Sequence, residues 1–392
     1  MRDIRRKGFA ERAAVAMAEE WIDRHASTPA DEAVAVTEAV GRVLSTALAA
    51  PCDAPDTDIA GADGYAVRAA DTVGAGDYNP LRLAAATEPP LPVGGAMLIA
   101  AGAPMPRGAD AILPFEVAEA KGGAIEIVAA AAEGALVEGR GQQLRAGTAL
   151  FAAGHVLRPQ DVGLLAALAI GAPRVVRRPR IRLVILGAKF RRGDADGPML
   201  AALVARDGGI AEAVDAAPTP ASIRAALLAP GADAILIAGR SGAGDDDIAP
   251  AALAEAGRLD LHGIALRPGG SAGLGEAGGV PVILLPGDPL ACLCVYDLLA
   301  GRLVRRLAGR DPALPYATRE VELGRKIVSA IGLLDLCRLR LVAGRAEPVG
   351  AIETGGLASA ARADGFVLVP EALEGYPPGA RIRLHLYDGW RA

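Results

Sequence analysis

Between residue 181 and about residue 310, short apolar runs alternate with helical segments, and this alternation limits the fold more than any other feature. IRLVIL (181–186), AILIA (234–238) and PVILL (281–285) read as strands, the last two buried. Helices fit at 198–208, in TPASIRAALLAP with Thr219 or Ser222 as N-cap, in APAALAEAG, and after PVILLPGDP. A weaker strand is expected near 210–215. Strand–helix alternation of this kind predicts a parallel sheet with helices on both faces.

The flanks differ in character. Residues 9–27 read as an amphipathic helix, and a second helical stretch is expected at about 29–50. From Pro51 to about 140, Pro and Gly become frequent and short apolar runs (LRLAAAT, AMLIAAG, DAILPFE, AIEIVAA) alternate with turns, which suits a small β domain. QDVGLLAALAIG (160–171) reads as helix, and 313–392 returns to short strands. The expected organisation is α/β plus β. Residues 1–50 and 141–178 form a helical, elongated domain, 51–140 a small β domain, 179–312 the α/β domain and 313–392 a C-terminal β domain.

A chain of 392 residues exceeds one ordinary core, so two to four domains are expected. No apolar run approaches the ~20 residues of a spanning helix, and the basic start lacks the pattern of a signal peptide, so a cytoplasmic protein without a membrane span is expected. A net charge of −5 argues against a nucleic-acid backbone as main partner. The local cluster Arg174, Arg177, Arg178, Arg180, Arg182 reads as a solvated domain junction. Cys52, Cys292, Cys294 and Cys337 lack zinc spacing. The four scattered histidines support neither a His-based metal site nor a catalytic triad.

Four loops can carry chemistry. AILIAGRSGAGDDD (234–247) empties a buried strand into glycines and three aspartates, where backbone N–H groups can approach an anion and carboxylates suit Mg²⁺. Asp245, Asp246 and Asp247 cannot all be buried unpaired, so a solvated turn, a helix N-terminus or a cation must satisfy them. In VPVILLPGDPLACLCVYDLL (280–299), Pro289 suits the first helical turn and Asp288 its N-cap. ALRPGGSAGLG (265–275) adds Arg267, the best oxyanion contact of this region, on a glycine track. In DIAGADGYAVRAADT (58–72), Asp63 either presents a carboxylate or holds an Asx-turn. GAPMPRGADAILPFE (102–116) reads as plain β-domain architecture.

In this order, these segments resemble the MoeA family, the molybdopterin molybdenumtransferases that include the E domain of gephyrin. The resemblance rests on ADGYAV near residue 62, GAPMPRGADAI, GRSGAGDDD, LRPGGSAGLG, LLPGDPL and ARADGFVLVPE (361–371). It implies an elongated four-domain homodimer that takes adenylylated molybdopterin, cleaves the adenylate with Mg²⁺ and inserts molybdate into the dithiolene. A molybdopterin adenylyltransferase or a recipient molybdoenzyme is an implied partner. Carried over by motif, Asp63 matches the aspartate before Gly-Tyr-Ala, which the partner subunit is thought to contribute. Asp245 and Asp247 match the acidic loop end and hold the metal. Arg267 matches the first lysine of Lys-Pro-Gly-Lys-Pro. Gly239, Ser241, Gly242, Gly244, Pro268, Gly269, Pro286, Gly287, Asp288 and Pro289 cradle the cofactor.

The chain also departs from the pattern. Gly270 and Ser271 replace the second lysine and the proline after it, and Asp288 stands where asparagine is usual. In ILGAKF, Ala188 and Lys189 replace two acids, and GPMLAAL (197–203) stands in place of an Asp-Ser-Asn stretch. Ala101 replaces a threonine, and Arg240 stands where a second glycine is usual, with Arg240 and Lys189 as possible cationic substitutes. The alternative to a transferase is therefore a paralogue that binds molybdopterin or a partner enzyme without turnover.

Overall fold

A computed structural model of the chain describes residues 8–186 and 193–387. They fall into two compact units, one drawn from 8–34, 41–45 and 174–387, the other from 35–40 and 46–173.

The first unit is built on a six-stranded sheet. Its spatial order is Ile210–Asp215, Arg180–Ile185, Ala234–Ala238, Val280–Leu285, Gly273–Ala277, Gly257–His262. The first four strands run parallel and the last two pairings are antiparallel. Alternate side chains divide between two cores, as the period-2 geometry of a strand requires. Ile181, Leu183, Leu236, Ala238, Ile283 and Leu285 meet Leu200, Val204, Leu299 and Leu303 on one face. Val184, Ile235, Ile237, Val282 and Leu284 meet Ile223, Leu227 and Leu253 on the other. Each large side chain buried this way contributes about 1.5–3 kcal/mol of apolar transfer.

The chain leaves strand Arg180–Ile185 towards one side of the sheet and strand Ala234–Ala238 towards the other. A crevice forms beyond the carboxyl ends of strands at such a reversal, and open α/β sheets bind ligands there. The expected helices are present: Asp196–Arg206, Pro220–Leu228 (capped by Thr219 Oγ1 on Ser222 N), Ala249–Ala256 and Pro289–Val295. The last continues through a π turn, Tyr296–Ala300, into Gly301–Leu307.

Helix Val15–His25 buries Val15, Ala18, Trp21 and Ile22 along one stripe. Asp23 binds it to helix Gly301–Leu307 through Arg302 (2.9 and 2.7 Å) and Arg306 (2.6 Å). Strand Leu334–Val342 pairs with both Arg345–Pro348 and Gly365–Val369. With Thr318–Leu323 and Arg381–Leu386 these strands close a ring, a C-terminal β barrel that leaves no open sheet edge. Leu266–Arg267 adds to the outside of Leu334–Val342.

The second unit holds a sheet in the order Ala111–Pro114, Gly64–Val67, Gly95–Ile99, Leu81–Ala86, Ala124–Ile127, Ala118–Lys121. Tyr65, Val67, Leu83, Leu113, Ile125 and Ile127 form its core. Helix Pro159–Ala167 lies in the same unit.

Two expectations are corrected. Residues 29–50 contain no α-helix: they form strand Asp31–Ala33, the short 3-10 turn Val36–Glu38 and strand Leu48–Ala49. Asp31–Ala33 pairs with Arg174–Val176, and Gly41 at φ +75° breaks any helical path. In the arginine cluster, Arg174, Arg178 and Arg180 are exposed as a solvated junction requires, but Arg182 is buried. Arg174 pairs with Asp31 and Arg177 with Asp233, while buried Arg182 donates to the carbonyls of Ala226, Ala229 and Pro230. Among the described residues, no helix is long and apolar enough to cross a membrane.

Candidate functional site

Three segments meet at the carboxyl edge of the parallel strands. Gly239 N donates to Leu285 O at 3.0 Å, which carries the strand pairing into the loops. Beyond it the two backbones nearly touch, because a Cβ on Gly287 would lie 3.2 Å from Gly239 Cα. A Cβ at residue 287 would press the two loops apart by a few tenths of an ångström.

The first loop is built by its own polar groups. Ser241 is buried, its carbonyl accepts from His262 Nε2 at 2.8 Å, and its Oγ lies 3.3 Å from Ser271 Oγ. That pair joins the loop to the glycine track after Arg267. Burial pushes the His262 pKa down, which favours the neutral ring that donates from Nε2 alone. Asp247 Oδ2 accepts from Gly244 N at 2.7 Å, and a Cβ on Gly242 would meet the same oxygen at 2.6 Å. Asp247 therefore folds the turn with one oxygen. Asp245 and Asp246 are exposed, and Asp246 lies 3.5 Å from Arg240 Nη1.

In the second loop, Asp288 Oδ1 accepts from Ala291 N at 2.9 Å and caps helix Pro289–Val295, with Pro289 at its first position. Near it lie two carboxylates that reading the sequence missed. Asp194 caps the start of helix Asp196–Arg206 by accepting from the backbone N–H groups of Asp196 and Gly197. Asp196 is buried with Oδ1 unpartnered, and burial, then Asp194 and Asp288, push its pKa up to about 6. No Asp-Ser-Asn stretch opens this helix, but Asp194 and Asp196 lie just ahead of GPML. Ala188 and Lys189 lie outside the described residues.

Arg267 is directed elsewhere than expected. Its guanidinium forks onto buried Asp335, Nε to Oδ1 at 2.9 Å, and Ser329 Oγ donates to the same carboxylate. It lines a cavity of about 360 Å³ with Lys326, Cys337, Ile352, Glu353 and Thr354, so it supplies a partly exposed cation beside a space of small-ligand size. Gly269 at φ +125° packs against Val295. Pro268, which follows a cis peptide bond, and buried Pro286 shape the two loops. Asp63 belongs to the other unit, where its Oδ1 accepts from Ala101 N at 2.8 Å. That bond spans 38 residues, so Asp63 joins two segments of its unit instead of closing an Asx-turn, and it is exposed.

Among the described residues, no three acidic, His or Cys side chains gather into a closed metal cage. At this edge Asp196 Oδ1 is a buried carboxylate oxygen without a hydrogen-bond partner, a single donor of the kind used by a cation that draws most of its ligands from phosphates and water.

Comparison with known proteins agrees along the chain. Residues 13–169 match the MoeA N-terminal region (domain I and II), 182–306 a probable molybdopterin binding domain, and 320–387 the MoeA C-terminal region (domain IV). Molybdopterin molybdenumtransferase 2 of Mycobacterium tuberculosis is 29% identical over 383 residues, covering 90% of this chain and 94% of that protein. A putative molybdopterin biosynthesis protein of Methanocaldococcus jannaschii is 27% identical over 375 residues, covering 90% and 91%. The crystal structure of a MoeA molybdopterin biosynthesis protein from Pyrococcus horikoshii superposes with a TM-score of 0.80 at 29% identity, covering 97% of this chain and all of that one. With these regions in this order on this fold, the chain belongs to the MoeA family.

Proposed function

We propose that this protein acts in molybdenum-cofactor biosynthesis as a molybdopterin molybdenumtransferase, taking adenylylated molybdopterin, releasing adenylate and inserting molybdate into the dithiolene. The observation that carries the reading is the meeting of the Gly239–Asp247 and Pro286–Pro289 loops at the sheet's carboxyl edge, so close that a Cβ on Gly287 would lie 3.2 Å from Gly239 Cα. Such a surface offers backbone N–H groups to a pterin-linked pyrophosphate. Arg267 and Lys326 place cations around a cavity suited to an oxyanion.

The residues that would hold Mg²⁺ are Asp245 and Asp247, with Asp194, Asp196 and Asp288 at the same edge. Bound there, the ion would withdraw charge from the phosphoryl oxygens. Ser241, held by His262 and Ser271, keeps the loop in register, and Asp288 orients the first turn of its helix. The reading includes a homodimer in which Asp63 of one subunit serves the other. The test supplies folded protein with adenylylated molybdopterin, Mg²⁺ and molybdate. AMP release and formation of the molybdenum cofactor are expected, and absence of both overturns the assignment.

A second reading, binding without turnover, is favoured by two observations: Arg267 is held by Asp335, and Asp288 brings a negative charge to the proposed anion site. Molybdopterin binding by calorimetry with no AMP release would select it.

A further inference from the structure

Most arginines of the first unit end on a carboxylate or a carbonyl. Arg42, Arg174, Arg177, Arg206, Arg267, Arg302 and Arg305 all do. Arg12 does not. Among the described residues its one recorded contact is with an aromatic face, the Phe9 ring, whose centroid lies 6.0 Å from its guanidinium carbon. It is exposed, yet its backbone is fastened. Ala13 N donates to Gly263 O at 2.9 Å, and Ala265 N donates to Ala13 O at 2.8 Å, so a single parallel bridge fastens Ala13 beside Ile264. Phe9 packs over Gly263 and stands edge-on to His262, the ring that holds Ser241.

The fastening puts the guanidinium over the glycine track. A Cβ built on Gly270 would meet Arg12 Cζ at 3.1 Å, Nη2 at 3.3 Å and Nη1 at 3.4 Å. The planar group lies in the space that a side chain at residue 270 would fill. The next residue, Ser271, touches Ser241 of the Gly239–Asp247 loop. An unpaired cation brought this close to backbone-rich loops has five N–H donors for a ligand that neither neighbour contests.

We propose that Arg12, delivered from the N-terminal segment across Gly270, is an anion-binding residue of this site and takes a tetrahedral oxyanion. The inference rests on the proposed function for the location of the site. Gly270 lets the guanidinium lie this close, since a Cβ there would press it aside by a few tenths of an ångström. The ligand class follows from the donor geometry: a planar fork grips two oxygens of a phosphate or a molybdate in the same way.

The test titrates molybdate, inorganic phosphate and AMP separately into the full-length protein by calorimetry. Variants are Arg12→Ala, Arg12→Lys and Arg12→Ala with Gly270→Lys. Loss of one charge-assisted contact predicts roughly tenfold or more weaker binding in Arg12→Ala. Arg12→Lys is expected to recover part of it, and the double variant, which restores a cation from residue 270, most of it. The anion whose affinity falls identifies the source of the oxyanion. Thermal unfolding checks that Arg12→Ala folds like the parent, as an exposed side chain predicts. If the parent binds all three anions and Arg12→Ala binds them equally well, the assignment of Arg12 is overturned. If the parent binds none of them, the proposed site itself fails first. If Arg12→Ala weakens binding and Gly270→Lys restores nothing, the placement over Gly270 is wrong.

Discussion

Arg267 and Asp335, 68 residues apart, grip each other through a forked ion pair that ties the glycine track of the α/β domain to the C-terminal barrel. The two partners are unequally buried: the Asp335 side chain is fully enclosed, whereas about a quarter of the Arg267 side chain, 24%, reaches solvent. Removing the arginine strands a buried carboxylate with only Ser329 beside it. Removing the aspartate leaves a cation that can turn towards water. Arg267→Ala is therefore expected to lower stability by about 3 kcal/mol or more, and Asp335→Ala by clearly less. Urea denaturation of both single variants and the double variant measures this, and equal costs for the two singles would contradict the burial argument.

Asp288 combines a structural and an electrostatic role. As the N-cap of Pro289–Val295 it accepts the Ala291 N–H, and its charge sits at the edge where an anion is proposed to bind. Asparagine keeps the acceptor and drops the charge. Asp288→Asn should hold stability within about 0.5 kcal/mol and tighten AMP binding, whereas Asp288→Ala should lose about 1 kcal/mol. Thermal melts combined with AMP titration separate the two effects.

How much of this was legible beforehand depends on the range of the interactions. The parallel strands were readable because AILIA and PVILL carry their burial in consecutive residues, and Asp288 because its cap bond closes within three residues. The 29–50 error arose from pairing with Arg174–Val176, well over a hundred residues away, which local periodicity cannot register. The role of Arg267 escaped for the same reason, since Asp335 gives no local sign of being buried. Asp297 lies within the apolar run ACLCVYDLL, yet it is fully buried and meets Arg206 and Tyr316. Asp194 and Asp196 precede GPMLAAL directly, but the cap made by Asp194 and the burial of Asp196 depend on how helix Asp196–Arg206 is placed. Arg12 looked like one more basic residue of an amphipathic start, and only the empty space over Gly270 distinguishes it.

The N-terminal helix should respond to acid through Asp23. Its hydrogen bonds from Arg302 and Arg306 hold the carboxyl below the ordinary value of 3.8. A depressed folded-state pKa means that the unfolded chain binds the proton first. The stabilisation is thus complete above pH 3.8 and disappears as pH falls through the folded value. Asp23→Asn is expected to be less stable than the parent at pH 7 by under about 1 kcal/mol, as for partly exposed ion pairs, with the difference shrinking below pH 3.8. Chemical denaturation of both proteins across pH 3 to 7 tests this. A difference that persisted at the acid end would assign the loss to packing.

Arg240 is the residue where backbone strain and charge can be separated at the proposed site. It adopts φ +57° directly after Gly239 at φ +95°, in the left-handed region that costs a residue with a Cβ about 1–2 kcal/mol. In return its side chain makes two exposed contacts with Asp246, a 3.5 Å approach to the carboxylate, a kind of pair worth under about 1 kcal/mol, and a 3.3 Å hydrogen bond donated by Nη1 to the carbonyl. Replacement by glycine relieves the strain and adds about 0.5–1 kcal/mol of chain entropy to be lost on folding. Arg240→Gly should therefore stay within about 1 kcal/mol of the parent, whereas β-branched Arg240→Val should lose about 1–2 kcal/mol. Because glycine preserves the loop path, any fall in AMP or molybdate affinity in Arg240→Gly reports the lost cation. A further fall in Arg240→Val reports displacement of the backbone that positions Ser241. If Arg240→Gly bound both anions as the parent does, Arg240 would be a strained turn residue that takes no part in anion binding.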